Sequence, residues 1–152
     1  MKISGNMDYL IATVFGLGYF PVAPGTAGSV AGLALCLLLH KNPVLYIGVF
    51  IILFVAGLIS AGRVESQSQI KDPSIVVIDE CACIFSVFLF VPINLPIILT
   101  GFFLYRLIDI IKLPPMRSLE KLRGGWGIML DDLISGIYTN LILQILIALK
   151  LF

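Results

Sequence analysis

Two pairs of neighbouring carboxylates lie close to apolar stretches of this sequence. Asp131 and Asp132 precede the last apolar run, and Asp79 and Glu80 follow the start of an earlier run at Ile75. An ionised side chain beside membrane hydrocarbon is costly unless a cation neutralises it, and such residues usually have a function. The alternative is that Asp131 and Asp132 cap a helix, although one Asp would suffice for a cap. We predict that the two pairs bind one metal ion.

The residue types favour magnesium as that ion. Carboxylate oxygens are hard ligands that suit Mg²⁺, which keeps several bound waters and accepts phosphate oxygens. Zinc prefers Cys and His ligands. The three cysteines lie inside apolar stretches without metal-ligand spacing, and the single histidine, His40, is expected on the opposite face of the membrane. The predicted cofactor is therefore Mg²⁺, bound by Asp79, Glu80, Asp131 and Asp132.

Three further features are suited to phosphate. Arg106 and Asp109 are three residues apart on a predicted helix, so they either form a local ion pair or leave Arg106 free to bind an anion. Lys112 could add a second positive charge or could extend to the membrane interface. The segment PGTAGS, Pro24 to Ser29, ends at a predicted helix N-terminus whose backbone N–H groups could bind an anion. It lacks the P-loop spacing, so nucleotide binding is not implied.

The composition is that of an integral membrane protein. Of the 152 residues, 59% are hydrophobic and 12% are charged, whereas about a quarter are charged in soluble domains. The mean hydropathy is +1.07. A net charge of +1 without a concentrated basic face argues against a nucleic-acid partner. The length allows one domain, residues 1–152, and no separate soluble domain.

We predict an all-α fold, a polytopic membrane helix bundle with about five spans. The apolar stretch 8–20 is too short to cross the bilayer, so it is predicted to be interfacial or re-entrant. A loop over residues 16–29 should lead into an apolar helix over 28–39, where Gly28 and Gly32 permit close approach of a neighbouring helix. Further spans are predicted at 44–61, 75–92, 96–111 and 133–151, with a basic, glycine-rich loop over 112–127.

The charges predict an orientation. Of the ten Lys and Arg residues, only Lys41 and Lys150 fall on one face, and the other eight fall on the opposite face. By the positive-inside rule the face with eight is cytoplasmic. All nine acidic residues lie on this same face, so the active site should face the cytoplasm. Trp126, Tyr105 and Tyr138 are predicted to anchor the protein at the headgroup level.

Four motifs resemble those of the bacterial phosphatidylglycerophosphatase A family, in the same order and across nearly the whole chain. They are GLGYFPVAPGTAGS, KDPSIVVIDE, YRLIDIIK, which is similar to the family's F-R-x-x-D-x-x-K, and GGWGIMLDDLISG. Cys83 and Leu113 stand where the family usually has Gly and Pro, and neither difference removes a polar group. The resemblance implies a Mg²⁺-dependent hydrolase of the bacterial inner membrane that converts phosphatidylglycerophosphate to phosphatidylglycerol and phosphate.

The resemblance also suggests roles for individual residues. The carboxylates would hold Mg²⁺, Arg106 would bind non-bridging phosphate oxygens, and Lys112 with the glycine-rich segment would complete the phosphate site. Attack on phosphorus by water and attack by a carboxylate both remain open. The candidate catalytic residues are Asp79, Glu80, Arg106, Asp109, Asp131 and Asp132. The candidate substrate-binding residues are Gly25, Thr26, Gly28, Ser29, Arg106 and Lys112.

The expected partners are phosphatidylglycerophosphate and membrane lipid, without nucleic acid or nucleotide, and the sequence leaves the oligomeric state open. One alternative is a cation or proton transporter that uses the same carboxylates. No acidic residue is predicted in the middle of a span or on the far face, which disfavours transport. A helix-packing subunit would leave the acidic pairs without a purpose. A phosphatidyltransferase of the D-G-x-x-A-R type is disfavoured because that motif is absent.

Overall fold

The computed structural model describes residues 6–152, and within that range the chain is all-helical, as predicted, with no strand. Its seven α-helices are α1 (Asn6–Ala12), α2 (Pro24–Leu39), α3 (Pro43–Ser68), α4 (Ile78–Val87), α5 (Leu95–Ile111), α6 (Met116–Leu119) and α7 (Gly125–Ala148). A single 3-10 turn, Leu17–Tyr19, lies between α1 and α2. Lys2, which the topology prediction used, lies outside the described residues.

Helix α4 is the centre of the bundle. It packs against α2, α3 and α7, and every one of its residues except Glu80 is buried. The sequence predicts a span over residues 75–92, but the helix covers only ten residues. A helix of that length is about 15 Å long, roughly half the thickness of the hydrocarbon core. The apolar run is hydrophobic because the bundle surrounds it on all sides.

Within the described chain, two helices are long and apolar enough to cross a membrane, α3 with 26 residues and α7 with 24. Helix α2 is apolar but shorter. Helices α3 and α5 begin where the sequence supplies start signals. Asn42 accepts a hydrogen bond from the Leu45 amide at 3.1 Å, and Asn94 accepts one from the Ile97 amide at 2.9 Å. In both helices a proline follows within the first two positions, where its missing N–H costs nothing.

Glycines allow α2 to lie directly against α4, as the sequence predicts. A Cβ atom at Gly28 would lie 2.7 Å from the Val77 carbonyl oxygen, and one at Gly32 would overlap the carbonyl oxygen of Cys81. The predicted loop over 16–29 is wrong in its last six residues, because α2 already begins at Pro24. The chain turns into the helix at Ala23, whose φ is 51°.

Helix α7 also begins earlier than predicted, at Gly125 instead of near residue 133. The turn before it is made at Gly124, with a φ of 65°. Gly125 is helical and packs on the backbone of Leu58, where a side chain would not fit. Asp131 and Asp132 are consequently inside a helix, not at its N-terminus. The capping interpretation of these two residues is therefore wrong.

Candidate active site

Three of the four carboxylates predicted to bind metal meet in one place. Asp79 and Glu80 lie in the first turn of α4, and Asp132 lies in the second turn of α7. One oxygen from each of these side chains lies within 4.8 Å of the others. Asp79 is 6% exposed and Asp132 is 3% exposed. We call Asp79, Glu80 and Asp132 the carboxylate cluster.

The carboxylate cluster fits a small, hard cation. Among residues 6–152, Asp79 Oδ1 and Glu80 Oε2 are buried and have no hydrogen-bond partner, whereas buried polar atoms are normally paired. Three carboxylates this close repel one another unless a positive charge lies between them. Magnesium binds oxygen at about 2.1 Å, so opposite ligands around one ion are about 4.2 Å apart. The separations in the cluster are of this order, so these residues could hold a metal ion.

Asp131 stands apart from the carboxylate cluster and pairs with Lys112. The Lys112 ammonium donates a hydrogen bond to Asp131 Oδ2 at 2.9 Å and lies 3.3 Å from Glu120 Oε1. Burial lowers the pKa of Lys112, but the hydrogen bond to Asp131 and the charges of Asp131 and Glu120 raise it more, so its pKa lies above the usual lysine value. Asp131 Oδ1 is buried, and the described chain offers it no partner.

Arg106 links α5 to the carboxylate cluster. Its Nη1 atom donates to Asp109 Oδ2 at 2.8 Å and lies 3.8 Å from Glu80 Oε1. The same atom lies 3.4 Å from the Ser29 hydroxyl oxygen. The local ion pair with Asp109 therefore forms, and Arg106 still faces the cluster. Its Nε atom is buried without a partner in residues 6–152.

The first turns of α2 lie beside this arginine. Gly25 is so close to the site that a Cβ there would overlap Glu80 Oε1. The Ser29 hydroxyl donates to the Gly25 carbonyl at 3.1 Å, which holds it beside Arg106. Of the other predicted substrate-binding residues, Gly28 packs against Val77, and neither it nor Thr26 is among the described residues that line the cavity.

The carboxylate cluster lines one open cavity of about 390 Å³ together with Arg106 and Lys112. Its lining includes the N-terminus of α2, both carboxylates of α4, the polar end of α5 and the two aspartates of α7: Ala23, Pro24, Gly25, Asp72, Ser74, Val76, Asp79, Glu80, Arg106, Asp109, Ile110, Lys112, Asp131 and Asp132. The structure therefore brings every predicted catalytic residue into one site.

Sequence reasoning missed three residues here. Asp72 and Ser74 line the cavity from the segment before α4. The signal for them was their place in the motif KDPSIVVIDE. Tyr105 was predicted at the headgroup level, which is wrong, because it is fully buried. Its hydroxyl donates a hydrogen bond to Asp132 Oδ2 at 3.2 Å, a contact between two helices that no spacing in the sequence indicates.

Comparison with known proteins shows the family of this chain. The family model of phosphatidylglycerophosphatase A matches residues 10–147. Phosphatidylglycerophosphatase A of Haemophilus influenzae is 34% identical over 143 residues, covering 90% of this chain and 86% of the relative. The Escherichia coli protein of the same name is 30% identical over 142 residues, covering 91% and 82%.

A Bacteroides thetaiotaomicron protein, provisionally named a phosphatidylinositol-3-phosphatase, is 36% identical over 154 residues, covering 95% of this chain and 96% of its own. No solved structure matches the chain. The family match extends over all four motifs, and the relatives match across nearly their whole length. The chain therefore belongs to the phosphatidylglycerophosphatase A family and is a phosphatase.

Proposed function

We propose that this protein removes the terminal phosphate of phosphatidylglycerophosphate in a Mg²⁺-dependent reaction that yields phosphatidylglycerol and inorganic phosphate. The observation that carries the proposal is one cavity that combines a buried carboxylate cluster with Arg106 and the N-terminus of α2. A metal ion needs negatively charged ligands, whereas a phosphate needs positively charged or N–H donor groups. This cavity contains both. The names of the Haemophilus influenzae and Escherichia coli relatives support the same substrate.

In this proposal Asp79, Glu80 and Asp132 hold the metal ion. When bound, Mg²⁺ supplies positive charge for the phosphate oxygens and for the group that attacks phosphorus. The residues themselves fix the position of that charge, since they come from two helices that pack together in the core. Their burial also keeps bulk water from competing for the ion.

Arg106 binds the non-bridging phosphate oxygens. Without substrate its charge is shared between Asp109 and Glu80, and a guanidinium can keep one carboxylate partner while it donates to phosphate. Asp109 acts as the partner that keeps Arg106 oriented toward the cavity. The backbone N–H groups at the start of α2 add partial positive charge on the same side.

The attacking group is either water or a carboxylate of the site. In the first case, water forms the new P–O bond, the bond to the glycerol oxygen breaks, and that oxygen takes up a proton. In the second, the carboxylate attacks phosphorus, the bond to the glycerol oxygen breaks and that oxygen takes up a proton, and water then hydrolyses the phospho-enzyme to release phosphate. Rapid acid quenching with radiolabelled substrate separates the two routes, since only the second leaves labelled protein.

The location follows from the composition and the charges. We propose a multi-pass protein of the bacterial inner membrane, with the cavity on the cytoplasmic side. Ile110 supports substrate entry from the lipid, because this residue lines the cavity and is also 72% exposed. The acyl chains of the substrate would remain in the bilayer while the phosphate enters the cavity.

A second lipid substrate deserves a direct comparison because of the Bacteroides thetaiotaomicron relative. Phosphatidylinositol 3-phosphate also carries a phosphate monoester on a diacyl lipid, but on an inositol ring. The residues around the cavity recognise the phosphate and do not by themselves distinguish a glycerol from an inositol headgroup. We infer that phosphatidylglycerophosphate is preferred, because two relatives and the family share that name.

The test is phosphate release by the purified protein in detergent. We expect release from phosphatidylglycerophosphate with Mg²⁺, loss of activity with a chelator, and recovery when Mg²⁺ is restored. Phosphatidylinositol 3-phosphate should be hydrolysed more slowly under the same conditions. Asp132→Asn in the carboxylate cluster should lose this activity. Asp8→Asn is its matched control, because Asp8 pairs with Arg63 outside the cavity. Faster release from the inositol lipid would reassign the substrate, and no release from either would refute the proposal.

A further inference from the structure

Tyr105 is a polar side chain that contacts the carboxylate cluster and that the proposed mechanism does not use. It lies on α5 and is fully buried, and its hydroxyl donates to Asp132 Oδ2 at 3.2 Å. Asp132 itself lies on α7, which packs against α5. The hydrogen bond therefore joins two helices at one oxygen of a candidate metal ligand.

We propose that Tyr105 is a positioning residue that fixes the orientation of Asp132 in the metal site. This inference rests on the proposed function, because it assigns a role toward the metal ion of that function. A carboxylate has two oxygens and can rotate about its χ2 torsion. Since Tyr105 donates to Oδ2, the rotation is restricted and Oδ1 is left for the metal ion.

The chemistry of the donor supports this role. A phenol is neutral, so it satisfies one oxygen of Asp132 without cancelling the negative charge that attracts a cation. A lysine or arginine in the same place would supply a positive charge of its own, as Lys112 does at Asp131. Hydrogen bonds from such neighbours typically affect metal affinity by about 10- to 100-fold.

The contribution of the hydroxyl can be tested separately from that of the aromatic ring. A phenylalanine would fill the same space and leave Asp132 without this donor. We therefore expect the Tyr105→Phe variant to fold, and its effect should appear in metal binding more than in stability.

The experiment compares the thermal stabilisation of the full-length protein by Mg²⁺ for the wild type, Tyr105→Phe and Tyr46→Phe. Tyr46 is the matched control because it is also buried, at 4% exposed, and its hydroxyl donates to the Phe85 carbonyl outside the cavity. We expect Tyr105→Phe to need about 10-fold more Mg²⁺ for half of the stabilisation. Tyr46→Phe should lower the melting temperature without changing the Mg²⁺ requirement.

The outcomes separate this inference from the proposed function. If Tyr105→Phe responds to Mg²⁺ as the wild type does, or if it does not fold, the positioning role is wrong, while the assignment of the cluster stands. If the wild type gains no stability from Mg²⁺, the metal site and this inference are both wrong. The stabilisation by Mg²⁺ is measured without substrate. It therefore tests the role of Tyr105 even if the substrate is another lipid phosphate.

Discussion

Substituting Gly25 by alanine tests the geometry of the site with a single methyl group. Gly25 lies in the first turn of α2, and an ideal Cβ there would overlap Glu80 Oε1. It would also lie 3.0 Å from Glu80 Cδ and 3.2 Å from Arg106 Nη2. Carbon atoms in contact are normally about 3.5–4.0 Å apart. Because the closest atom is Glu80 Oε1, the Glu80 carboxylate must therefore move by about 1 Å or more.

That displacement is large for a catalytic group and small for the fold. Metal–ligand distances tolerate changes of about 0.2 Å, and a misplacement of about 1 Å can cost about 100-fold in rate. We expect kcat/KM for phosphatidylglycerophosphate to fall by about 10- to 100-fold, or about 1.4–2.7 kcal/mol. Stability should change by less than about 1 kcal/mol, because the atoms that must move are the end of a flexible side chain and alanine favours the helix.

The assay is phosphate release at several Mg²⁺ concentrations, together with thermal unfolding in detergent. Gly48→Ala is the matched control, since it makes the same change in a helix and, of the described atoms, none lies within 4 Å of its Cβ beyond the local backbone. Gly28→Ala is a second comparison, because its Cβ would press on the backbone oxygen of Val77 and should lower stability instead. If Gly25→Ala folds and retains wild-type kcat/KM, Glu80 beside α2 is not part of the active site.

Three further substitutions test other parts of the site and the fold. Asp132→Asn should lower phosphate release by at least about 100-fold and abolish stabilisation by Mg²⁺, so wild-type values for both would contradict the metal assignment. Lys112→Met leaves the buried Asp131 carboxylate unpaired and should cost about 1–3 kcal/mol near pH 7 in thermal or denaturant unfolding. Because folding raises the pKa of Lys112, its contribution is complete at neutral pH and should decline as the pH rises above the usual lysine pKa; a difference between the wild type and Lys112→Met that stays constant through this alkaline range would contradict the ion pair. Gly136→Ala places a methyl group on the Ser86 hydroxyl and should destabilise the protein by about 1–3 kcal/mol, and an unchanged melting temperature would contradict the close packing of α4 and α7.

The residues of the candidate site could be predicted from the sequence, because charged side chains beside apolar runs are unusual in a membrane protein. Four carboxylates stand out beside apolar runs on one predicted face, and the structure brings three of them together, Asp79, Glu80 and Asp132. Gly28 and Gly32 likewise predicted a close helix contact, since small residues at that spacing permit it. These inferences depend on residue type and on distance along one element.

The ends of the helices were harder to predict, because glycine occurs both in loops and at close contacts between helices. Gly25 and Gly125 read as loop residues, yet both lie in helices where a neighbouring residue leaves no room for a side chain. Helix α4 read as a span, because full burial in a bundle and exposure to lipid select the same apolar residues. Local sequence distinguishes neither a loop glycine from a helical one nor a buried apolar helix from one that contacts lipid.

The sequence by itself determined the all-helical class, the four motifs and the residue types that suit a cation and a phosphate. Only the tertiary structure decided which partner each of two neighbouring carboxylates contacts. Asp131 and Asp132 are adjacent in the chain, but successive residues on a helix point about 100° apart. Asp132 therefore faces Tyr105 and the carboxylate cluster, and Asp131 faces Lys112. That difference depends on which helices pack on each side of α7, which no pattern within the helix specifies.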